Sequence, residues 1–191
     1  MDYTERTGLN RNSTVYVGTR FEYIVADVLA RYGFYLRRVG GMSDKGIDLL
    51  GTWTVSAPSP SRSSSSSARP PIKVLVQCKA GRRSPVPHLI RELEGSVASA
   101  PVGWRGSGVV GLLVTEKPAT SGVRDALGRS KTPMGFISCT KEGRLTQFAW
   151  NRRAEEEGLE GLGIGVRYTE HEEQELVLTM NGKHLPMHEP K

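Results

Sequence analysis

The sequence predicts an α/β (α+β) fold, a central mixed β-sheet flanked by helices. An apolar stripe of helical period near the N-terminus, nearly unbroken apolar runs further on, and the alternation of the two patterns up to residue 139 predict it. The longest apolar runs, such as residues 109–114, fall far short of the ~20 residues that a membrane-spanning helix requires. Two cysteines, Cys78 and Cys139, cannot build a disulfide framework or a four-ligand zinc site.

Phe21, Ile24, Val25, Val28, Leu29 and Tyr32 recur at helical spacing and predict a helix over residues 15–32. Ser13 or Thr14 suits its N-cap and Gly33 its left-handed end. Strands are predicted at 34–39 and 47–55, joined through a Gly40-Gly41 turn, and then at 73–79, 108–115 and 135–139. Helices are predicted at 86–100 and 121–129. Residues 56–71 hold eight serines and four prolines and read as a disordered insertion inside the domain. Residues 1–12 read as a flexible N-terminus and 151–191 as a C-terminal extension of a single domain spanning 1–191. In that extension 151–157 reads as helical and 165–169 and 175–179 as strands. Asn181-Gly182, the favoured pair of a type I′ turn, sends the chain back through 183–187.

Charge is segregated along the chain. Residues 1–154 hold 23 Lys/Arg against 11 Asp/Glu, and residues 155–191 hold 3 against 9. A basic body attracts polyanions through counterion release, so nucleic acid is the first partner class to consider; a basic-biased compartment is the alternative source of the charge.

The residues that can carry chemistry are Glu22 on the first helix, Asp48 in Gly-Ile-Asp-Leu-Leu, and Gln77 and Lys79 in Val-Leu-Val-Gln-Cys-Lys. The two-residue strand period puts Gln77 and Lys79 on one face, their Cα atoms ~6.5 Å apart, with Val74, Val76 and Cys78 on the other. If the Asp48 strand pairs with this one, a carboxylate, an amide oxygen and an ammonium converge. Mg²⁺ or Mn²⁺ suits such oxygens, with the Cys78 backbone carbonyl as a further ligand and Glu22 as a helper or second-metal ligand. Lys79 would position the attacking water. Other readings stand beside this one. Glu22 can pair with Arg20 or Arg31, Lys79 can exit to solvent, and Gln77 can bond backbone. Lys45, Arg82 and Arg83 are candidate contacts to a nucleic-acid backbone, or parts of a turn and a solvated face.

The helix with Phe21-Glu22, the aspartate after a Gly-rich turn, and Gln77-Cys78-Lys79 together resemble the PD-(D/E)xK nuclease superfamily, especially its Mrr-like branch. In that branch glutamine often replaces the second acidic residue. The stretches GTRFEYIVADVL, SDKGIDLLG, VQCK, GLLVT and FAWNRRAEEEGLEGL resemble the fungal mitochondrial family called required for respiratory growth protein seven. These resemblances imply a restriction-endonuclease-like core with a C-terminal β-hairpin extension. They imply a metal-dependent DNA endonuclease of the mitochondrion, linked to respiratory growth and catalytic through Glu22, Asp48, Gln77 and Lys79. The alternative is a catalytically weak or inactive nucleic-acid-binding protein that supports the mitochondrial genome. A homodimer is implied only by the habits of the superfamily. Met1 to Glu5 lacks the acid-poor character of a transit peptide, so the mitochondrial expectation rests on resemblance.

Overall fold

The computed structural model describes residues 13–39, 46–55, 70–169 and 173–188. The expected N-terminal segment, the Gly40-Gly41 turn, Lys45 and residues 56–69 of the insertion lie outside them.

Helix α1 (Thr14–Ala30) begins where the Ser13 hydroxyl accepts from the Tyr16 N–H at 3.2 Å. It ends two residues before the predicted point, because Arg31 to Gly33 close a tighter turn onto the carbonyls of Val28, Leu29 and Ala30. Gly33 takes a φ of 84° there, and a Cβ would stand 3.0 Å from the Thr54 carbonyl oxygen.

A six-stranded sheet follows, β1 (Phe34–Arg38), β2 (Leu49–Trp53), β3 (Ile72–Lys79), β4 (Val109–Thr115), β5 (Met134–Cys139) and β6 (Leu145–Trp150), in chain order across the sheet. β3, β4 and β5 are mutually parallel and the remaining pairings antiparallel. β4 and β5 are buried along their whole length, as strands covered on both faces must be.

One face of the sheet packs Leu49, Trp53, Val74, Val76, Val110 and Leu112 against Phe21, Val25, Val28 and Leu29 of α1. The other carries α2 (His88–Ala98) and α3 (Ser121–Arg129), whose Ile90, Leu93, Val123 and Leu127 cover Leu113 and Phe136. Trp53 is wholly buried, stacked on Phe34 at 4.3 Å, and its indole N–H donates to the Tyr32 carbonyl at 3.0 Å.

One expectation needs correction, and one strand is additional. Asp48 lies just before β2 rather than inside a strand, since the ladder to β3 starts at Leu49. Strand β6 was not anticipated: it is an edge strand with Thr146 and Gln147 among its apolar residues, and a bulge at Ser138/Cys139 breaks the regular alternation. The helix expected at 151–157 is present, as one α turn, α4 (Arg152–Ala154), continued by a π-helical turn, Glu155–Leu159.

The C-terminal segment forms a second sheet of β7 (Leu162–Tyr168), β8 (Gln174–Met180) and β9 (Lys183–His184). Asn181 and Gly182, at φ 50° and 76°, make the expected two-residue turn. Leu162, Leu178 and Met180 join the α1 side of the core, and Glu175 pairs with Arg31 at 2.7 Å.

Candidate metal and nucleic-acid site

The site is built where β2 gives out beside β3. The Asp48 N–H donates to the Val76 carbonyl at 2.9 Å, one residue out of the Leu49–Val76 register. Beyond that point the Asp48 side chain takes over from the ladder, and its Oδ2 accepts from the Cys78 N–H at 2.6 Å. The N–H and C=O of one strand residue leave by the same edge, so the Cys78 carbonyl is directed to the side on which Asp48 stands.

Gln77 and Lys79 share a face, as their spacing predicts, and both reach Glu92 on α2. The Gln77 Nε2 donates to Glu92 Oε1 at 2.8 Å and the Lys79 ammonium to the same oxygen at 2.6 Å. Partial burial works to raise the Glu92 carboxyl, but the Lys79 hydrogen bond and charge, with the Gln77 amide, outweigh it and hold the group below the usual carboxylate range. Gln77 is 1% exposed, and among the described residues its Oε1 is a buried polar atom with no hydrogen-bond partner. An amide flip would set that oxygen against the Glu92 carboxylate, so the orientation is fixed by charge. Gly46 closes over the amide: at φ 76°, a Cβ there would lie 3.0 Å from both Gln77 Nε2 and Ser96 Oγ.

Glu22 is placed differently from the expectation. It is 9% exposed and forms an ion pair with Arg38 of β1, not with Arg20 or Arg31. Arg38 also donates to Thr19 Oγ1 at 3.4 Å and lies over the Tyr23 ring at 5.9 Å. Cys78 packs on the α1 side of the sheet, as expected. Burial pushes its thiol well above the ordinary value, and the Asp48 and Glu22 carboxylates push in the same direction, so it stands as a neutral thiol within electrostatic reach of both acids.

Arg82 and Arg83 are exposed and line, with Lys79, His88 and Thr115, a cleft of about 610 Å³ at the C-terminal end of β3. Arg82 also borders a neighbouring cleft of mixed charge, lined by Lys117 and Lys141 and by Glu116 and Glu142. Ligands of open α/β sheets settle outside the carboxyl ends of parallel strands, and this rim occupies that position.

The residues fit a hard cation. Asp48 supplies a carboxylate, Gln77 an oxygen with no hydrogen-bond partner among the described residues, and Cys78 a backbone carbonyl. The described residues hold no group of three or more His, Cys, Asp or Glu side chains arranged for a metal, so a cation here would depend on amide, carbonyl and water oxygens beside the single carboxylate.

Sequence reasoning missed Glu92. No spacing within its own segment marked it, because Glu92 meets Gln77 and Lys79 only through the packing of α2 over the end of β3.

Residues 13–168 match the family described as Required for respiratory growth protein 7. The chain belongs to that family. An uncharacterized mitochondrial protein of Schizosaccharomyces pombe is 32% identical over 160 residues, which are 81% of this chain and 59% of the relative, so the chain spans less than two thirds of that relative's length. Mitochondrial location and a link to respiratory growth follow, as the sequence motifs led one to expect. Among solved structures, MspJI restriction endonuclease in complex with a 27-mer oligonucleotide is 20% identical, covering 63% of this chain and 25% of that one at a TM-score of 0.40, too slight a likeness to bear on function. No described helix is long and apolar enough to cross a membrane.

Proposed function

We propose that this domain binds DNA along the Arg82–Arg83 rim and hydrolyses its phosphodiester bonds with Mg²⁺ or Mn²⁺ held by Asp48, Gln77 Oε1 and the Cys78 carbonyl. The observation that carries the reading is the meeting of the Asp48 carboxylate with the Cys78 N–H, on the residue next to a buried Gln77 oxygen that has no partner among the described residues. A bound divalent ion supplies charge neutralisation of the phosphodiester and a more acidic water. The chain's own groups do the rest. Arg82, Arg83 and Lys45 hold backbone phosphates, which gives affinity without base specificity. Lys79, at the mouth of the cleft, orients the water or faces the developing negative charge. Glu22 serves as a helper only on leaving Arg38. Cutting both strands would take a second copy of the chain or two successive nicks.

A second reading is favoured by the ion pairs. Lys79 is engaged with Glu92 and Glu22 with Arg38, so two of the four expected catalytic groups are neutralised. A domain that binds nucleic acid without cutting it has no need to release either.

The test is cleavage of supercoiled, linear and single-stranded DNA in Mg²⁺ and in Mn²⁺ by the parent, Asp48→Ala and Lys79→Ala. Hydrolysis by the parent alone supports the nuclease reading. Salt-dependent binding without hydrolysis in all three selects the binding module.

A further inference from the structure

We propose that Glu92 is a positioning residue for the Asp48–Gln77 site: it fixes the Gln77 amide so that the carbonyl oxygen is the atom offered to a cation, and it holds the Lys79 ammonium alongside. The inference rests on the cation-site reading above and assigns a role to a helix residue outside the Asp48 and Gln77–Lys79 motifs.

A glutamine amide has two chemically different ends, and only its oxygen ligates a hard cation. On a free glutamine the two orientations interconvert by a half-turn of the terminal torsion. Here a single Glu92 oxygen takes the Gln77 Nε2 at 2.8 Å and the Lys79 Nζ at 2.6 Å, and a carboxylate accepts but does not donate. The amide nitrogen is thereby committed to α2, and Oε1 is left as the end without a partner among the described residues. Gly46 approaches the nitrogen end of the amide from the loop, where a Cβ would lie 3.0 Å from Gln77 Nε2. Glu92 is itself steadied by its helix, where the Ser96 hydroxyl donates to its main-chain carbonyl at 3.0 Å. An acceptor-only anchor behind a ligating amide does what a carboxylate behind a metal-binding histidine does, and removing such partners costs 10–100-fold in metal affinity.

The relationship predicts a reciprocal rescue. Glu92→Gln removes the charge that fixes the amide and adds an NH₂ that can donate to a turned Gln77 Oε1, so the oxygen is no longer held as the open end. Joining it to Gln77→Glu gives a donor–acceptor pair again, now reversed, with the donor on the helix and the acceptor on the strand, and puts a carboxylate oxygen where the amide oxygen stood.

The experiment is Mn²⁺ titration of the full chain by electron paramagnetic resonance, on the parent, Asp48→Ala, Glu92→Gln and the Gln77→Glu/Glu92→Gln double variant. It is accompanied by ¹⁵N spectra of the Gln77 side-chain amide without metal. The expected result is parent binding lost in Asp48→Ala, weakened about tenfold in Glu92→Gln, and returned to the parent level in the double variant, with the Gln77 amide resonances moved in Glu92→Gln. Parent-like Mn²⁺ binding and unmoved resonances in Glu92→Gln overturn the role of Glu92 while leaving the cation site standing. Weakened binding that the double variant does not recover also overturns it, since Glu92 would then act through packing alone. A parent that binds no better than Asp48→Ala overturns the cation site itself and the inference with it. Should Glu92→Gln fail to fold, Glu92→Ala is measured in its place, with Mn²⁺ binding weakened about tenfold and moved Gln77 resonances expected, and parent-like values overturning the role.

Discussion

The Asp48 carboxylate accepts a 2.6 Å hydrogen bond from the backbone N–H of Cys78, between the two residues that present polar side chains on the α2 face. A side chain here does what a strand backbone does further along β2. The acid is thereby tied by the sheet backbone to the residue between Gln77 and Lys79.

Gly46 is the residue through which the loop approaches that arrangement. Gly46→Ala forces a side chain onto a left-handed backbone, at about 1–2 kcal/mol, and pushes a methyl into the Gln77 amide and Ser96 hydroxyl. Gly81→Ala also sits at positive φ but meets nothing within 4 Å. Denaturant unfolding and Mn²⁺ binding measured on both variants will show lower stability in each and weakened Mn²⁺ binding only in Gly46→Ala.

Asn151 ties α3, β5 and α4 together. Its Oδ1 accepts from Met134 and Ala154, and its Nδ2 lies within hydrogen-bond distance of the carbonyls of Leu127, Ser130 and Thr132. Asn151→Ala leaves buried backbone groups without partners and should cost about 2–4 kcal/mol. That corresponds to a fall of roughly 5–15 °C in melting temperature by calorimetry.

Both thiols are held neutral. Burial pushes Cys139 up to about 12 and Cys78 well above its ordinary value. Iodoacetamide at pH 8, followed by mass spectrometry, will leave Cys78 and Cys139 unmodified in the folded chain and alkylate both after denaturation.

Glu175 links the second sheet to α1 with its side chain 17% exposed. Burial acts to raise its carboxyl, yet the hydrogen bonds and charges of Arg167 and Arg31 prevail and lower it. A folded value below the unfolded one makes the contribution fully present above the unfolded carboxylate range, about 4.3, and lost as pH falls through the lowered folded value. Melting curves of the parent and Glu175→Gln will therefore differ by a constant gap from pH 7 to pH 5 and converge as the pH is taken below about 4.

Much of this was legible in the sequence because it is local. The α1 stripe, the shared face of Gln77 and Lys79, and the Asn181-Gly182 turn each follow from the period of one element or the demands of one turn. What escaped depends on contacts between distant segments. Arg38 reaches Glu22 from β1, whereas only neighbours on the helix were considered as its partners. Glu92 meets Gln77 and Lys79 because α2 packs over the end of β3, a pairing that no spacing within either segment encodes. β6 was lost because an edge strand needs only part of its side chains buried.

The most direct test is an anomalous difference map from crystals grown or soaked in MnCl₂. A peak bounded by an Asp48 carboxylate oxygen, Gln77 Oε1 and the Cys78 carbonyl, each at roughly 2.1 Å as for a hard octahedral cation, is the expected result. Mn²⁺ bound elsewhere, with the three oxygens turned apart, would contradict the account.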